Sequence, residues 1–226
     1  NKIGVKHNTD KSSGLHDYLF KYEKYFPFDR FDKLKILEIG VLNGSSLKTW
    51  EEYYENSEII GIDINPDCKQ YEKNRIRVEI GSQYDAEFLK MIGEKYGPFD
   101  LILDDGSHLN KHVIFSFKEL WKYVKPHGLY VVEDAVTSYW PDYGGSPTGS
   151  ETIITYFKDR IDEVNFGGEL VDNSPNVHAR KDEQLLNQFI KKGYTNNIHK
   201  NKFRDFIGIE FESINFLNSI IIMTKR

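Results

Sequence analysis

Short apolar segments alternate with amphipathic segments along the first 134 residues of the chain. The apolar segments are rich in β-branched residues and are bounded by Gly, Pro, Asn or Asp, which is typical of buried strands. They are residues 35–41, 58–64, 76–80, 99–103 and 129–132. Segments with helical spacing lie between them, at residues 45–54, 85–96 and 110–123. This alternation predicts an α/β fold with a doubly wound, Rossmann-like and mostly parallel sheet.

The pattern changes after Asp134. Helical spacing recurs at residues 151–162 and 182–191, and two apolar runs follow at 206–211 and 219–224. The short link between these runs, residues 212–218, predicts an antiparallel strand pair that closes the sheet. Residues 144–149 form a Gly-rich loop that is either a lid over the preceding acidic pair or a plain surface loop. Tyr139, Trp140 and Tyr143 beside it either stack on a sugar or serve in packing.

Composition limits the class of protein. With 226 residues, 39% of them hydrophobic and 29% charged, the chain suits one α/β domain with a solvated surface. We expect a single domain over residues 1–226, with an N-terminal helical segment at 1–30 and the α/β core at 31–226. The net charge of −5 offers no general attraction to nucleic acid or to an anionic membrane, so neither partner is predicted.

The single cysteine, Cys68, rules out a disulfide within the chain, and we expect it to be an inert, half-buried thiol. No stretch resembles a signal peptide or a membrane span of about 20 apolar residues. These features together predict a cytoplasmic protein.

Acidic residues follow two of the predicted strands. Asp104 and Asp105 begin an Asp-Asp-Gly-Ser-His block that ends at His108, and Glu133 and Asp134 follow the next strand. Parallel strands end at a common edge, so several carboxylates and an imidazole should meet there. This combination suits a hard cation beside a general base and indicates an enzyme. The alternatives are that the two aspartates cap the following helix and that the histidine only forms structural hydrogen bonds.

The first predicted strand leads into a turn that suits a nucleotide-like cofactor. Residues 38–46 run from Glu38 through Gly40 and Gly44 to Ser46, and the glycines allow the backbone to approach a ligand closely. Free N–H groups at the helix N-terminus lie in the same place. Two glycines also occur where a strand and a helix merely pack tightly.

Two further strand ends complete the predicted cofactor site. Asp63 follows the glycines by about 20 residues, where a carboxylate binds ribose hydroxyls, although it could instead cap the Asn65-Pro66 turn. Ser82 and Gln83 follow the third strand and could meet an adenine edge. The turn lacks the three-glycine spacing of nicotinamide enzymes, so S-adenosylmethionine, which has a ribose and adenine but no phosphate, suits the site better.

These motifs carry a family resemblance. The Glu38-x-Gly40-x-x-x-Gly44-x-Ser46 turn resembles the cofactor motif of class I adenosylmethionine-dependent methyltransferases. The block from Asp104 to His108 and the Glu133-Asp134 pair are similar to those of the metal-dependent macrolide sugar O-methyltransferases and the cephalosporin hydroxylase family. Thr9-Asp10-Lys11, with His16, Tyr18, Tyr22 and Glu23, is similar to the N-terminal signature of that group.

The resemblance implies a role for each matching residue. Asp105, Glu133 and Asp134 would bind magnesium, and His108 would be the general base. Asp104 would face the cofactor rather than the metal. From its place one helical turn after His108, His112 is either a substrate contact or a supporting residue. Lys11 and His16 either fold over the cofactor or cross a subunit boundary, and we do not expect them to be catalytic. The family also implies a homo-oligomer.

The implied reaction is transfer of a methyl group from S-adenosylmethionine to a hydroxyl of a sugar or other glycan-like small molecule. Ser82 departs from the family, which often has an acidic residue there, and the long N-terminal extension of the macrolide enzymes has no counterpart in this sequence. We therefore expect a smaller sugar, a nucleotide-linked sugar or a surface glycan at least as readily as a macrolide. The rival hypotheses are a metal-dependent hydrolase, which leaves the glycine turn and Asp63 without a role, and a non-catalytic nucleotide-binding protein.

Overall fold

Seven strands form one mixed sheet in the computed structural model, which describes residues 1–149, 151–161, 164 and 211–226. The strands are β1 Lys35–Ile39, β2 Glu58–Asp63, β3 Ile76–Ile80, β4 Phe99–Asp104, β5 Val124–Val132, β6 Phe211–Leu217 and β7 Ile220–Lys225. Their order across the sheet is β3-β2-β1-β4-β5-β7-β6. The pairs from β3 to β5 are parallel, and β7 is antiparallel to both β5 and β6. The predicted fold class is confirmed.

The α-helices of the described residues are α1 Lys2–His7, α2 Tyr18–Tyr25, α3 Ser45–Tyr53, α4 Ala86–Tyr96, α5 Asn110–Leu120 and α6 Ile153–Asp159. Short 3₁₀ turns cover Pro66–Tyr71, Trp121–Tyr123, Ala135–Tyr139 and Pro141–Tyr143. Side-chain caps fix two of the helix starts. Asp85 accepts hydrogen bonds from the N–H groups of Glu87 and Phe88 at the start of α4, and Thr152 accepts one from Thr155 at the start of α6.

Both faces of the sheet are covered, which explains the nearly continuous apolar strands. One face packs against α4, α5 and α6 in a core that includes the buried side chains of Leu89, Phe117 and Phe157. The other face packs against α2 and α3 through side chains such as Leu19 and Trp50. Burial on two sides fixes the register of the inner strands such as β1, β2 and β4, since a shifted strand would carry apolar residues out of the core.

Most observed boundaries lie within three residues of the predicted ones, and the two main differences concern β5 and β6. β5 begins at Val124, five residues before the predicted start at 129, because Val124 already pairs with Phe99 of β4. The polar residues 125–128 lie at a register shift, and pairing with β4 resumes at Leu129. Residues 212–217 of the predicted link instead form most of edge strand β6. An edge strand needs only partial cover, so its polar side chains resemble a loop in the sequence.

Two predicted segments lie outside the described residues: the helix at 182–191 and nearly all of the apolar run at 206–211. The predicted helix at 151–162 is present as α6. The antiparallel pair that closes the sheet is also present, as β6 and β7 joined by a turn at Asn218 and Ser219.

The strand order reverses between β1 and β4. From β1 the chain proceeds outward to β2 and β3, and it then returns to place β4 on the opposite side of β1. In open α/β sheets, ligands bind in the crevice that such a reversal leaves outside the carboxyl ends of the strands. The fold therefore places a binding crevice at the ends of β1 and β4.

Phe117 provides a test of the core under α5. Its side chain is fully buried, and its ring lies 5.2 Å from Trp121, 5.1 Å from Tyr130 and 4.9 Å from Phe157, measured between ring centroids. Phe117→Ala should lower the free energy of unfolding by about 3–5 kcal/mol, because the cavity cannot refill. Urea denaturation measures this, with the exposed Phe31→Ala as control. Equal stability of the two variants would contradict the packing described.

Candidate active site

Four parallel strands end at the same level along one edge of the sheet. Ile39 pairs with Ile62 on one side and with Asp104 on the other, and Asp104 pairs with Val132. The next residue of each strand therefore stands beside its neighbours, and these residues are Gly40, Asp63, Asp105 and Glu133. Strand register alone brings together the chemical groups that the sequence spreads over almost 100 residues.

A cavity of about 560 Å³ opens at this edge, within the size range of small-molecule sites. Eight predicted site residues line it: Gly40, Ser46, Asp63, Ser82, Gln83, Asp105, His108 and Asp134. The four that do not line it are Glu38, Gly44, Asp104 and Glu133. Residues 8–10, Leu15 and His16 of the N-terminal segment also contribute to the wall.

The turn after β1 is built around Gly40. Its φ of +95° lies in the left-handed region, and a Cβ there would stand 2.2 Å from the backbone oxygen of Asp105. No other residue fits without moving the loop that follows β4. Gly44 has a different role, because a Cβ at this position would meet the ring of Tyr71 at 2.7 Å. Gly40 shapes the cavity wall, whereas Gly44 permits close packing behind it.

Asp63 holds the turn from the end of β2. Its Oδ2 accepts hydrogen bonds from the N–H groups of Val41 at 2.8 Å and Leu42 at 3.1 Å, and its Oδ1 accepts one from Asn65 at 2.8 Å. Partial burial opposes ionisation, but these backbone donors outweigh it and lower the pKa of Asp63. The capping alternative considered for Asp63 is therefore present, and the ionised side chain also faces the cavity.

Asp104 lies behind the cavity wall, whereas the sequence analysis predicted that it would face the cofactor. Its carboxylate is buried and accepts hydrogen bonds from Gln83 Nε2 at 3.1 Å, from Tyr130 at 3.2 Å and from Ser116. Gln83 in turn accepts a 2.6 Å hydrogen bond from the N–H of Ser107. The physical reason is strand alternation: Asp104 still belongs to β4 and points to the α5 face. It positions Gln83 and the 105–108 loop.

Asp105, His108 and Asp134 form an open cluster at one end of the cavity. One ligand atom from each lies within 4.8 Å of the others. Nε2 of His108 is 3.9 Å from Asp105 Oδ1 and 3.7 Å from Asp134 Oδ2. His108 and Asp134 have φ values of 57° and 49°, in the left-handed region that His and Asp adopt more readily than most residues.

Lys11 occupies the centre of a second, buried layer of this cluster. Its side chain is only 1% exposed, and Nζ donates to Glu133 Oε2 at 2.7 Å and to Asp105, with Glu38 Oε1 3.4 Å away. Burial lowers the affinity of Lys11 for its proton, but the three carboxylates outweigh this effect and raise its pKa. The ammonium stays charged and offsets part of the negative charge collected at the strand ends.

Glu133 and Glu38 face this layer rather than the cavity. Glu133 is 1% exposed, and its second oxygen, Oε1, accepts a 2.6 Å hydrogen bond from Tyr22. Glu38 accepts a 3.0 Å hydrogen bond from Trp50 Nε1, and burial raises its pKa to about 7 against the opposing effect of Lys11. Among the described residues, Glu38 Oε1 has no hydrogen-bond partner.

Aromatic residues surround the outer parts of the cluster. The ring of Tyr143 lies 6.4 Å from that of His108, and Trp140, about half exposed, lies 5.8 Å from Tyr143. None of residues 144–149 lines the cavity. His112 does line it, forms a 2.9 Å hydrogen bond between Nδ1 and Ser107 Oγ, and stacks on Tyr84 at 4.5 Å.

The sequence pointed to the N-terminal signature but not to its contacts. Lys11, Tyr18 and Tyr22 belong to that signature, yet nothing in a single sequence places Lys11 against acids more than 90 residues away. One signal was available: Tyr18 and Tyr22 are four residues apart, so a helix brings both hydroxyls to one face. Tyr18 donates a 2.5 Å hydrogen bond to Asp134 Oδ1.

Comparison with known proteins gives consistent matches. The family model described as a methyltransferase domain matches residues 37–135. Mycinamicin VI 2''-O-methyltransferase from Micromonospora griseorubida is 39% identical over 72% of this chain and 43% of its own length. Demethylmacrocin O-methyltransferase from Streptomyces fradiae is 36% identical over 69% of this chain and 41% of its own. The chain thus spans less than half the length of these relatives.

A solved structure matches almost the whole chain. MycE methyltransferase of the mycinamycin biosynthetic pathway, in complex with Mg and SAH, superposes with a TM-score of 0.77 at 30% identity, covering 99% of this chain and 53% of MycE. A second MycE structure, which also contains mycinamycin VI, gives a TM-score of 0.76 at 29% identity over the same shares.

Among the helices of the described residues, none combines the length and apolar character that crossing a membrane requires.

The pKa of Asp104 predicts a pH dependence of stability. Burial raises this pKa from 3.8 to about 6, so the folded state binds the proton more tightly than the unfolded chain does. The resulting stabilisation is complete below about pH 4 and is lost as the pH rises through 6. Asp104→Asn should abolish this loss, so the stability of the variant relative to wild type should improve by about 3 kcal/mol between pH 4 and pH 7.

Urea denaturation across this pH range measures the difference, with Asp142→Asn, at an exposed position, as the control. A relative stability of Asp104→Asn that does not change with pH would contradict the raised pKa.

Proposed function

Because the chain contains a methyltransferase domain and is homologous to macrolide sugar O-methyltransferases, we propose that it is a magnesium-dependent O-methyltransferase. It would transfer a methyl group from S-adenosylmethionine to a hydroxyl of a sugar or sugar-containing small molecule. One observation carries the proposal: the glycine turn with Asp63 and the cluster of Asp105, His108 and Asp134 line a single cavity. A methyl donor and an acceptor bound at these two places would be neighbours.

The cofactor end is formed by residues of the first three strand ends. The backbone at Gly40 and the side chain of Ser46 would face the methionine part, and Asp63 would accept hydrogen bonds from the ribose hydroxyls. The ionised carboxylate of Asp63 keeps unused lone pairs, although each of its oxygens already accepts at least one backbone N–H. Ser82 and Gln83 would meet the adenine, with Glu38, Gly44 and Asp104 supporting the wall from behind.

The other end suits a divalent cation. Asp105 and Asp134 each direct an oxygen toward His108 Nε2, and hard cations prefer carboxylate oxygens. Glu133 would complete the ligand set from the buried layer, where Lys11 and Tyr22 already hold both of its oxygens. Bound magnesium would make a coordinated hydroxyl more acidic and fix its orientation.

His108 would accept the proton of the acceptor hydroxyl at Nε2, the nitrogen that faces the two aspartates. The deprotonated oxygen would then attack the sulfonium methyl in line, so no covalent enzyme intermediate is required. The remaining nitrogen, Nδ1, is buried and has no hydrogen-bond partner among the described residues. Much of the acceleration would come from holding donor and acceptor at the correct distance.

For the methyl acceptor, we propose only a chemical class, a sugar or a sugar-containing small molecule. Two further relatives are named for glycosylated molecules, L-olivosyl-oleandolide and an α-L-rhamnosyl tetracenomycin C. The half-exposed Trp140 beside Tyr143 would provide an aromatic face on which a sugar ring can stack. The homo-oligomer and the cytoplasmic location stay predictions.

Asp63 tests the cofactor end. Asp63→Asn should weaken binding of S-adenosylhomocysteine about 10–100-fold, since hydrogen bonds to a charged group contribute about 1.5–3 kcal/mol. Titration calorimetry measures the affinity, and the exposed neighbour Asp67→Asn is the matched control. Unchanged affinity in Asp63→Asn would remove this residue from the cofactor site. Wild-type protein that binds neither S-adenosylmethionine nor S-adenosylhomocysteine would overturn the proposed function.

His108 tests the chemistry. His108→Ala should slow methyl transfer about 10²–10⁴-fold, the usual contribution of a general base, and should leave S-adenosylhomocysteine affinity nearly unchanged. The assay is mass-spectrometric detection of methyl gain on a sugar panel, with a chelator expected to abolish the reaction and added Mg²⁺ to restore it. His127→Ala is the control, because that side chain is 78% exposed. Full turnover in His108→Ala would exclude the proposed base.

A further inference from the structure

Each of the three carboxylates assigned to the cation is hydrogen-bonded by the N-terminal segment. Lys11 donates to Asp105 and Glu133, Tyr18 to Asp134, and Tyr22 to Glu133. We propose that Lys11, Tyr18 and Tyr22, hereafter the N-terminal clamp, are positioning residues that fix these carboxylates for cation binding. This inference rests on the proposed function, because it concerns the same cation.

The contacts distinguish the two oxygens of each partly buried aspartate, Asp105 and Asp134. Tyr18 donates a 2.5 Å hydrogen bond to Oδ1 of Asp134, and the other oxygen, Oδ2, lies 3.7 Å from His108 Nε2. Lys11 donates a hydrogen bond to Oδ2 of Asp105, and the other oxygen, Oδ1, lies 3.9 Å from His108 Nε2. In each aspartate, one carboxylate oxygen is hydrogen-bonded to the clamp, and the other oxygen faces the cavity, where it could bind a cation. A carboxylate without such a contact can rotate, so the clamp sets the direction of the remaining ligand atoms.

Glu133 is held more completely. Its Oε1 accepts from Tyr22 at 2.6 Å and its Oε2 from Lys11 at 2.7 Å. Each oxygen retains one further lone pair, so the two contacts restrict the orientation of the carboxylate without using up its capacity. Tyr22 and Lys11 together determine where a third ligand would stand.

The clamp residues are buried, so their contacts with the carboxylates belong to the packed interior rather than to the mobile surface. Lys11 is 1% exposed, and Tyr18 and Tyr22 are each 3% exposed. A buried ammonium is costly unless it is paired, and a surface lysine would not incur this cost. The ring of Tyr22 also stacks on Phe26 at 4.6 Å and lies 5.9 Å from Trp50, so α2 presents its hydroxyls from a packed helix.

The clamp residues do not need to touch the cation to affect it. Partners that orient metal ligands commonly contribute 10–100-fold to metal affinity. The tyrosines allow a clean test, because Tyr→Phe removes one hydroxyl and changes neither the ring nor the net charge. Tyr25, on the same helix, is partly buried and contacts none of the three acids in the described hydrogen bonds, so Tyr25→Phe is a matched control.

The experiment measures Mn²⁺ affinity by electron paramagnetic resonance on the purified chain, together with S-adenosylhomocysteine affinity by calorimetry and thermal unfolding. Tyr18→Phe and Tyr22→Phe should each weaken Mn²⁺ binding about 10-fold or more. S-adenosylhomocysteine affinity should stay within about twofold of wild type, and Tyr25→Phe should resemble wild type in both assays. Lys11→Arg, which keeps the charge, should bind Mn²⁺ more tightly than Lys11→Met.

Two results would overturn the proposal while the proposed function stands. One is Mn²⁺ affinity in Tyr18→Phe and Tyr22→Phe equal to that of Tyr25→Phe, with wild type binding both ligands. The other is an equal loss of Mn²⁺ and S-adenosylhomocysteine affinity, which a general structural defect would cause. Wild-type protein that binds S-adenosylhomocysteine but no Mn²⁺ would overturn both the clamp and the metal part of the proposed function.

Discussion

Carboxylates collected at the ends of β1, β4 and β5 repel one another, and the buried ammonium of Lys11 opposes that repulsion. Glu38, Asp105 and Glu133 all lie within 4 Å of its Nζ. Burial alone would favour protonated acids, as the raised pKa of Glu38 shows. Lys11 lowers the pKa of both Glu38 and Glu133, although burial and the neighbouring carboxylate of Asp105 still leave the two pKa values raised. One cation supplied by the N-terminal segment thus makes an acidic site compatible with a folded core.

The same arrangement divides the cavity into two ends with different chemistry. The carboxylate of Asp63, held by the backbone N–H groups of Val41 and Leu42, dominates the end formed by β1 and β2 and suits a polar, uncharged ribose. Free carboxylate oxygens and His108 dominate the end formed by β4 and β5. Because the parallel register fixes the distance between adjacent strand ends, the two ends are fixed relative to each other. Donor and acceptor would need no large motion to meet.

Much of this could be predicted from the sequence, because the relevant signals are local. Buried strands produce apolar runs, and polar residues that follow such runs stand at the carboxyl edge. The prediction was wrong for residues 212–217, where an edge strand has the polarity of a loop. It also misjudged Asp104, whose direction depends on whether β4 ends before or after that residue. A difference of one residue reverses the side of the sheet to which a side chain points.

The contacts of Lys11 lie beyond what a single sequence can show. Its position near Asp105 depends on how residues 1–30 fold back over the sheet, and no local pattern encodes that path. The two tyrosines were recognisable as one face of a helix, but their partners after the end of β5, Asp134 and Glu133, were not. Long-range electrostatic pairing is established only when the fold is complete.

The most direct test of the central claim is the effect of bound Mn²⁺ on the nuclear magnetic resonance signal of the methyl group of bound S-adenosylmethionine. If cation and cofactor share one cavity, Mn²⁺ should broaden that methyl signal strongly, and excess Mg²⁺ should reverse the broadening. A methyl signal that stays sharp while both ligands are bound would show that they occupy separate sites, and it would contradict the account.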